Sequence, residues 1–481
     1  MDELEPDRLY RALCARDARF DGLFFVAVET TGIYCRPICP ARTPGRARCR
    51  FYARAAEAER AGYRACFRCR PERAPGGAPV DAAPALVRRA LAAIADGALD
   101  RVSVDGLGAE LGVGARHLRR TLEAAIGVTP IELAQTRRLG LAKQLLQDTS
   151  LPITELAYAA GFASLRRFNA AFAERFGTAP TQIRRRGAPD GRAADRPRLR
   201  LEARGPFPAD ATLRFLAARA LPGLEEVTAR GYRRVVAVGD AGAVLEAAPD
   251  PERPGLIVTI DPLLLPQLGA LLTRLRALFD LDARPDLIDG HLARDPRLRR
   301  RVAACPGLRV PGAFDRWEAL VRIILGQQVS VRAATTLSGR LIERLGAPIA
   351  VGGGAGRAFP SPERIASRTI DAIAAVGLPG ARAEALRAVA RRVASGRIDL
   401  LPSADPARVA EALLAVPGIG PWTVQAFAMR ALRDPDAFLG GDLAVRRALG
   451  VGTTAAAEAA AIRWRPWRAY ALMHLWHTQG G

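Results

Sequence analysis

Lysine is all but missing from this chain. Lys143 stands alone among 71 basic residues, so everything after it lacks the amine that a Schiff-base mechanism needs. Histidine is scarce as well, with four in 481 residues and none between Cys35 and Cys69. No uninterrupted apolar run approaches the ~18 residues of a membrane span, and the opening MDELEPDRLYRAL has no basic-then-apolar export pattern. These absences predict a cytoplasmic protein with no membrane contact, whose seven cysteines stay reduced. Negative charge is also in short supply: 49 acidic residues face the 71 basic ones, for a net charge of +22 and a pI near 11.0. Such an excess points to a polyanion, most economically nucleic acid. The preference for arginine over lysine goes with abundant Ala, Gly and Pro and reads as a GC-rich coding bias. The charge itself is the informative part.

What is present starts with length, enough for three or four domains that each bury a core. Four cysteines are arranged for a metal. Three residues separate Cys35 from Cys39, two separate Cys66 from Cys69, and 26 lie between the pairs. That spacing fits a tetrahedral zinc site, and with no histidine nearby the sulfur-and-nitrogen set is all thiolate. A structural zinc and a reactive one both fit it. Cys14, Cys49 and Cys305 fit no pair and read as ordinary small residues.

The surrounding words are Thr30-Thr31-Gly32-Ile33-Tyr34-Cys35-Arg36-Pro37, Phe51-Tyr52-Ala53 and Gly62-Tyr63-Arg64-Ala65-Cys66. They resemble the N-terminal domain of the Ada methylation-response family over residues 1–73. The resemblance implies that Cys35 takes a methyl group from a DNA phosphotriester. The chemistry is sound from below, because zinc keeps a sulfur ionised at neutral pH and a thiolate attacks a methyl carbon while a phosphodiester leaves. The product is a neutral thioether. One negative charge is then lost beside DNA, so a single transfer would both repair and signal.

Pro71 to Pro84 reads as a linker. From residue 85 to 186 the chain is helical and repeats itself: Leu118, Leu122, Ile126, Gly127 and Pro130 recur as Phe168, Phe172, Phe176, Gly177 and Pro180. Apolar residues four apart bury one helix face, the glycine ends the helix, and the proline bars its continuation. Two helix-turn-helix units are expected. The stretch Ala159-Ala160-Gly161-Phe162-Ala163-Ser164, closed by Phe176-Gly177-Thr178-Ala179-Pro180, resembles the AraC-type regulators. Arg116, Arg119 and Arg120 in one unit and Arg166, Arg167 and Asn169 in the other are the candidate DNA contacts, to bases or to phosphates.

Gln182 to Arg200 reads as a basic linker. Beyond it, 199–204, 233–238, 244–248 and 256–260 have strand character, 264–279 is an amphipathic helix, and everything past Pro285 is expected to be helical. Within that part, Val409 to Val416 carries helical spacing, Pro417-Gly418-Ile419-Gly420 breaks it, and Pro421 restarts a helix where a missing N–H costs nothing. A helix, a tight hairpin and a helix follow. Glycines that allow close approach, next to a helix N-terminus, suit a phosphate.

The order PGIG, Trp422, Asp442, Trp476 resembles the helix-hairpin-helix DNA glycosylases, and most closely the AlkA-like alkylbase glycosylases. Matching words at 215–220, 306–309, 324–330 and 467–472 extend the likeness over residues 199–481. It implies excision of alkylated bases such as 3-methyladenine and 7-methylguanine. Asp442 would be the carboxylate that stabilises an oxocarbenium-like sugar or acts as general base, and both roles stay open. It also implies a base pocket of Phe215, Trp422 and Trp476, a DNA backbone phosphate on Gly418 and Gly420, and a monovalent cation at the hairpin carbonyls. Gln328 occupies the place where the family wedges an apolar residue into the duplex. There are departures. Trp422 stands where lyase-active relatives carry a lysine, which implies a monofunctional enzyme, and Ala426 and Leu443 replace aromatic pocket residues. No Pro-Cys-His-Arg motif is present, so the guanine-O6 methyltransferase half of Ada is absent.

The expected fold class is multidomain, mainly α with α+β parts. It comprises a small zinc α/β domain over 1–73, an AraC-type double helix-turn-helix over 85–186, an α/β subdomain over 199–284, and an all-helical helix-hairpin-helix glycosylase domain over 285–481. One Zn2+ is the expected cofactor. Double-stranded DNA, both alkylated and promoter, and RNA polymerase are the expected partners of a chain that acts as a monomer. The competing expectation is a methylation-sensing activator whose glycosylase-like domain only binds damaged DNA.

Overall fold

A computed structural model describes residues 5–76, 84–186 and 196–477. The chain divides into two compact units, residues 1–205 with 250–273, and residues 206–249 with 274–481. Among the described residues no helix is long and apolar enough to cross a membrane.

The first unit opens with α1 (Pro6–Cys14), β1 (Phe25–Val28), β2 (Ile33–Cys35), β3 (Cys49–Tyr52), α2 (Ala55–Arg60) and β4 (Arg64–Ala65). The strands lie in the order β3-β1-β2-β4. β1 is antiparallel to both β2 and β3, whereas β2 runs parallel to β4 with Tyr34 opposite Ala65. That register decides the metal site, because Cys35 and Cys66 then leave adjacent strand ends side by side. A helical part follows: α3 (Ala85–Ala95), α4 (Ala98–Arg101), α5 (Val104–Leu111), α6 (Ala115–Ile126), α7 (Pro130–Asp148), α8 (Ile153–Ala159), α9 (Leu165–Phe176) and α10 (Pro180–Arg186). The expected repeat is there. Leu118, Leu122 and Ile126 are buried along α6 as Phe168, Phe172 and Phe176 are along α9, and each helix ends on a glycine at positive φ, Gly127 at 70° and Gly177 at 65°. A strand pair completes the unit, β5 (Arg198–Glu202) running antiparallel to β9 (Gly255–Ile260) with Leu201 opposite Leu256.

The second unit holds α11 (Ala209–Ala217), β6 (Glu225–Thr228), β7 (Gly231–Val238) and β8 (Ala241–Pro249). The 264–279 helix is α12 (Leu268–Leu278), which starts in the first unit and enters the second at Arg274; a 3-10 turn over Pro262–Gln267, in the first unit, precedes it and contains Pro266. Then come α13 (Pro285–Leu292), α14 (Pro296–Ala304), α15 (Arg316–Leu325), α16 (Val331–Leu345), β10 (Pro348–Val351), β11 (Gly354–Arg357), α17 (Pro362–Ala366), α18 (Ile370–Ala374) and α19 (Gly380–Ala394). α20 (Pro406–Leu414), α21 (Pro421–Arg430), α22 (Leu443–Leu449), α23 (Thr454–Ala461) and α24 (Arg468–His477) end it. Leu320 and Ile324 of α15, Leu386 of α19, Leu413 of α20 and Phe427 of α21 share one core, which fixes the hairpin between α20 and α21. Arg234 on β7 bonds Glu225 at 2.9 Å and the Glu318 carboxylate of α15, and this buried pairing anchors the helix that leads to Gln328.

Several expectations need correction. The region past Pro285 is not wholly helical, since β10 and β11 form a hairpin whose first strand pairs parallel with β8. Its Gly-rich sequence hid it, because Gly352 and Gly353 serve the turn at φ 53° and 83° and only Ile349 on β10 is buried. β6 also went unexpected. The linker expected over 71–84 starts with a 3-10 turn, Pro71–Arg73, and Arg70 and Arg73 pair with Asp148 of α7 at 2.5 and 2.7 Å. The linker expected over 182–200 is α10 at its start and β5 at its end. Residues 77–83 and 187–195 of those two stretches lie outside the described residues.

Candidate functional site

The sulfurs of Cys35, Cys39, Cys66 and Cys69 all lie within 4.8 Å of one another. Cys39, Cys66 and Cys69 are buried, while Cys35 is partly open to solvent. The backbone N–H of Arg36 donates to Cys69 Sγ at 3.3 Å and that of Arg68 to Cys66 Sγ at 3.4 Å, as around a thiolate metal site. Crowding makes the four share protons. Hydrogen bonding to Cys39, then to Cys66 and Cys69, pushes the Cys35 thiol far up, whereas Cys35, then Cys39 and Cys69, hold Cys66 far down. Four such sulfurs do not all ionise unaided. A divalent cation offsets the repulsion, so the donor set fits one Zn2+, which supplies ionised sulfur at neutral pH.

This cluster is wired into the helical part of its own unit. Tyr34, the residue before Cys35, donates its hydroxyl to Glu59 Oε1 at 2.9 Å, and Glu59 Oε2 accepts from Thr136 of α7 and Arg175 of α9. Arg60 donates to the Gly127 carbonyl that ends α6, and Arg64 to the Phe176 carbonyl that ends α9, at 2.5 and 3.3 Å. Lys143 is fully buried on α7, where its ammonium donates to the Cys66 carbonyl and to Glu72, both at 2.8 Å. Arg116, Arg119 and Arg120 on α6 and Arg166, Arg167 and Asn169 on α9 are all exposed.

In the second unit the hairpin is as expected, with Gly418 at φ 86°. A side chain at Gly418 would be strained by that φ and would press on Ala385 Cβ at 3.0 Å, whereas Gly420 faces open space. Gln327 ties the next element in: its Nε2 donates to the Gly418 carbonyl at 3.0 Å and to Thr423 Oγ1 at 2.9 Å. Beside it, exposed Gln328 takes φ 55°, a conformation non-glycine residues seldom adopt, which projects it from the turn before α16. Asp442 is the N-cap of α22, its Oδ1 accepting from Val445 N at 3.1 Å. The same Oδ1 accepts from the Trp476 ring N–H at 3.5 Å. Asp442, Trp476 and Trp422 are all partly exposed. Phe215 carries the Arg219 guanidinium 3.8 Å and the Arg430 guanidinium 4.8 Å from its ring centre. Burial, then Arg322, pulls Arg219 down to about 10. The direct bonds thus join Asp442 to Trp476 and Gln327 to the hairpin, and set Phe215 against the C-terminal end of α21.

Four family models match successive stretches. They are the metal binding domain of Ada over 8–72, a helix-turn-helix domain over 107–186, the AlkA N-terminal domain over 198–315, and the HhH-GPD superfamily base excision DNA repair protein over 321–456. A Mycobacterium tuberculosis protein named probable bifunctional transcriptional activator/DNA repair enzyme AlkA is 41% identical over 481 residues, covering 98% of this chain and 96% of its own. This chain belongs to that AlkA family. DNA-3-methyladenine glycosylase 2 of Escherichia coli is 37% identical over 56% of this chain and 93% of its own. The bifunctional transcriptional activator/DNA repair enzyme Ada of the same organism is 32% identical over 38% of this chain and 50% of its own. Among solved structures, a 3-methyladenine DNA-glycosylase from Archaeoglobus fulgidus matches the fold with a TM-score of 0.50 at 20% identity, over 57% of this chain and 96% of that one.

Sequence reasoning missed Glu59, Lys143 and Gln327. Gln327 adjoins a residue that was singled out, and Lys143 was visible as the lone lysine. Nothing in the sequence marks Glu59, because its three partners meet only in the folded unit.

Proposed function

We propose that this AlkA-family chain excises cationic alkylated bases, 3-methyladenine and 7-methylguanine, from double-stranded DNA, and that Cys35 accepts methyl groups from DNA methylphosphotriesters. The observation that carries the first part is the Trp476–Asp442 hydrogen bond of 3.5 Å on a helix-capping carboxylate. A flipped base meets an electron-rich ring and the sugar meets a fixed negative charge. The bond from C1′ to the base nitrogen breaks with its electron pair going to the base, and water adds at C1′. Asp442 either stabilises the intervening cation by its charge or takes the water's proton as general base. Gly418 and Gly420 hold a backbone phosphate, with a monovalent cation at the hairpin carbonyls, and Gln328 enters the duplex at the vacated position.

For Cys35, its place as the first of four clustered sulfurs within the stretch that matches the metal binding domain of Ada supports its being the acceptor. Its sulfur attacks the methyl carbon, an S–C bond forms, the C–O bond to phosphorus breaks, and a phosphodiester leaves. Arg116, Arg119, Arg120, Arg166, Arg167 and Asn169 engage promoter DNA, and RNA polymerase is the partner of the activator, which acts as a monomer.

The test is incubation of the full chain with alkylated duplex DNA, scoring free bases. Released 3-methyladenine supports the reading, whereas damaged-DNA binding without release marks a regulator that only recognises lesions. Borohydride should trap no covalent adduct with the second unit, which has no lysine. Methylphosphotriester DNA should add one methyl mass to the peptide that contains Cys35, and a label on Cys66 or Cys69 alone would refute that assignment.

A further inference from the structure

The segment that delivers Asp442 has a second attachment to the helix that carries Trp476. Arg468 lies on α24, just over two helical turns before Trp476. Its guanidinium forks onto Asp436, Nε to Oδ1 at 2.8 Å and Nη2 to Oδ2 at 3.0 Å, and its Nη1 reaches Glu458 Oε2 at 3.4 Å. Arg465 adds a bond to Asp436 Oδ2 at 2.8 Å, and the Ala469 N–H donates to the Pro435 carbonyl at 3.0 Å. Asp436 belongs to the connection from α21 to α22, which ends in Gly440-Gly441-Asp442.

Glu458, on α23, meets the far end of the same connection. A Cβ built on Gly440 would come within 2.7 Å of its Oε1. Between the two anchors Ala437, Phe438 and Leu439 are buried, so the connection is packed along its length and displacement at Asp436 is passed toward Asp442. One side chain therefore joins the Trp476 helix, the start of the Asp442 connection and the carboxylate that rests on its final turn.

We propose that Arg468 is a positioning residue for base excision, holding the Asp436–Asp442 connection on α24 so that Asp442 and Trp476 keep their mutual geometry. This rests on the reading of Asp442 as the excision carboxylate. The planar fork matters, because a lysine ammonium is a compact charge with freely rotating donors and does not fix the orientation of the Asp436 carboxylate as a guanidinium does. A misplacement of about 1 Å at a reacting group costs roughly 100-fold in rate.

The experiment uses full-length protein and methylated duplex DNA, comparing wild type with Arg468→Lys and Asp436→Asn. It reads single-turnover release of 7-methylguanine at saturating enzyme, affinity for the same duplex, and thermal unfolding. A positioning role predicts a rate loss of roughly 10- to 100-fold in Arg468→Lys with affinity and folded fraction near wild type. It also predicts that Asp436→Asn lowers the rate and that the double variant is no slower than the worse single. Wild-type rates in both variants, or rates that fall only in step with affinity or folded fraction, overturn the proposal. Absence of release from the wild type would instead refute the underlying glycosylase reading, and the proposal with it.

Discussion

The ligands of the sulfur cluster come from one short stretch, Cys35 to Cys69, and a single parallel strand register at Tyr34 and Ala65 sets them together. The proposed excision site draws on the turn before α16, the α20–α21 hairpin, the cap of α22 and the end of α24, with Gln327 joining the first two and Trp476 and Arg468 joining the last two. The first is a donor set that one metal ion would hold together, and the second is held by packing and hydrogen bonds between distant segments. The contrast teaches that the sulfur site depends on its metal and the excision site on its scaffold, so different perturbations should disable each.

Metal removal should show the widest separation. Structural zinc contributes on the order of 10 kcal/mol in small metal domains, so chelation should unfold or loosen residues 1–73. All five tryptophans, Trp317, Trp422, Trp464, Trp467 and Trp476, lie in the second unit, whose fluorescence transition should stay nearly unchanged. A matching fall in both transitions would erase the contrast.

Asp442→Asn strikes the other side. Base release should fall on the order of 100- to 1,000-fold, the scale of removing one preorganised electrostatic group, while damaged-DNA binding and methylation of Cys35 persist. Undiminished release would remove Asp442 from the mechanism.

Acid should act on the second unit through His474, which is buried on α24 two residues before Trp476. Burial, then His477 and Arg301, pulls its pKa down to about 4. An unfolded histidine titrates near 6.5, so as pH falls the unfolded chain gains this proton first. Stability conferred by neutral His474 is fully present above about pH 6.5 and is lost toward pH 4, by about 3 kcal/mol. Tryptophan-detected unfolding should show this slope, and His474→Gln should flatten it.

The smallest effect concerns lesion choice. Ala426 is buried and Leu443 exposed where the resemblance places aromatic rings, so stacking surface is reduced. Cationic lesions keep a weakened glycosidic bond and an attractive Asp442, which neutral ones lack. 3-Methyladenine and 7-methylguanine should be released well and hypoxanthine or ethenoadenine poorly, with Ala426→Tyr narrowing the gap by ~0.5 to 1.5 kcal/mol, the worth of an aromatic pair. Comparable single-turnover rates for hypoxanthine and 3-methyladenine in the wild type would sink this idea.

Local signals carried the cysteine pairs, the repeat of Leu118 in Phe168 and the Pro-Gly-Ile-Gly break, because each depends on spacing along the chain. The β10–β11 hairpin was illegible for the converse reason: its glycines carry no periodicity, and it is read as sheet only once β10 lies against β8.

By itself, then, the sequence determined the charge, the fourfold sulfur donor set, the two helix-turn-helix units and the helix-hairpin-helix, since composition, backbone propensity and helical period are written residue by residue. Tertiary structure alone decided that Glu59 links Tyr34 to Arg175, that the one lysine is buried under the Cys66 carbonyl, and that Trp476 and Arg468 both reach the segment ending in Asp442. Those pairings join residues far apart in the chain. Their energy comes from desolvated hydrogen bonds and charge pairs that exist only after the core has brought the partners within reach.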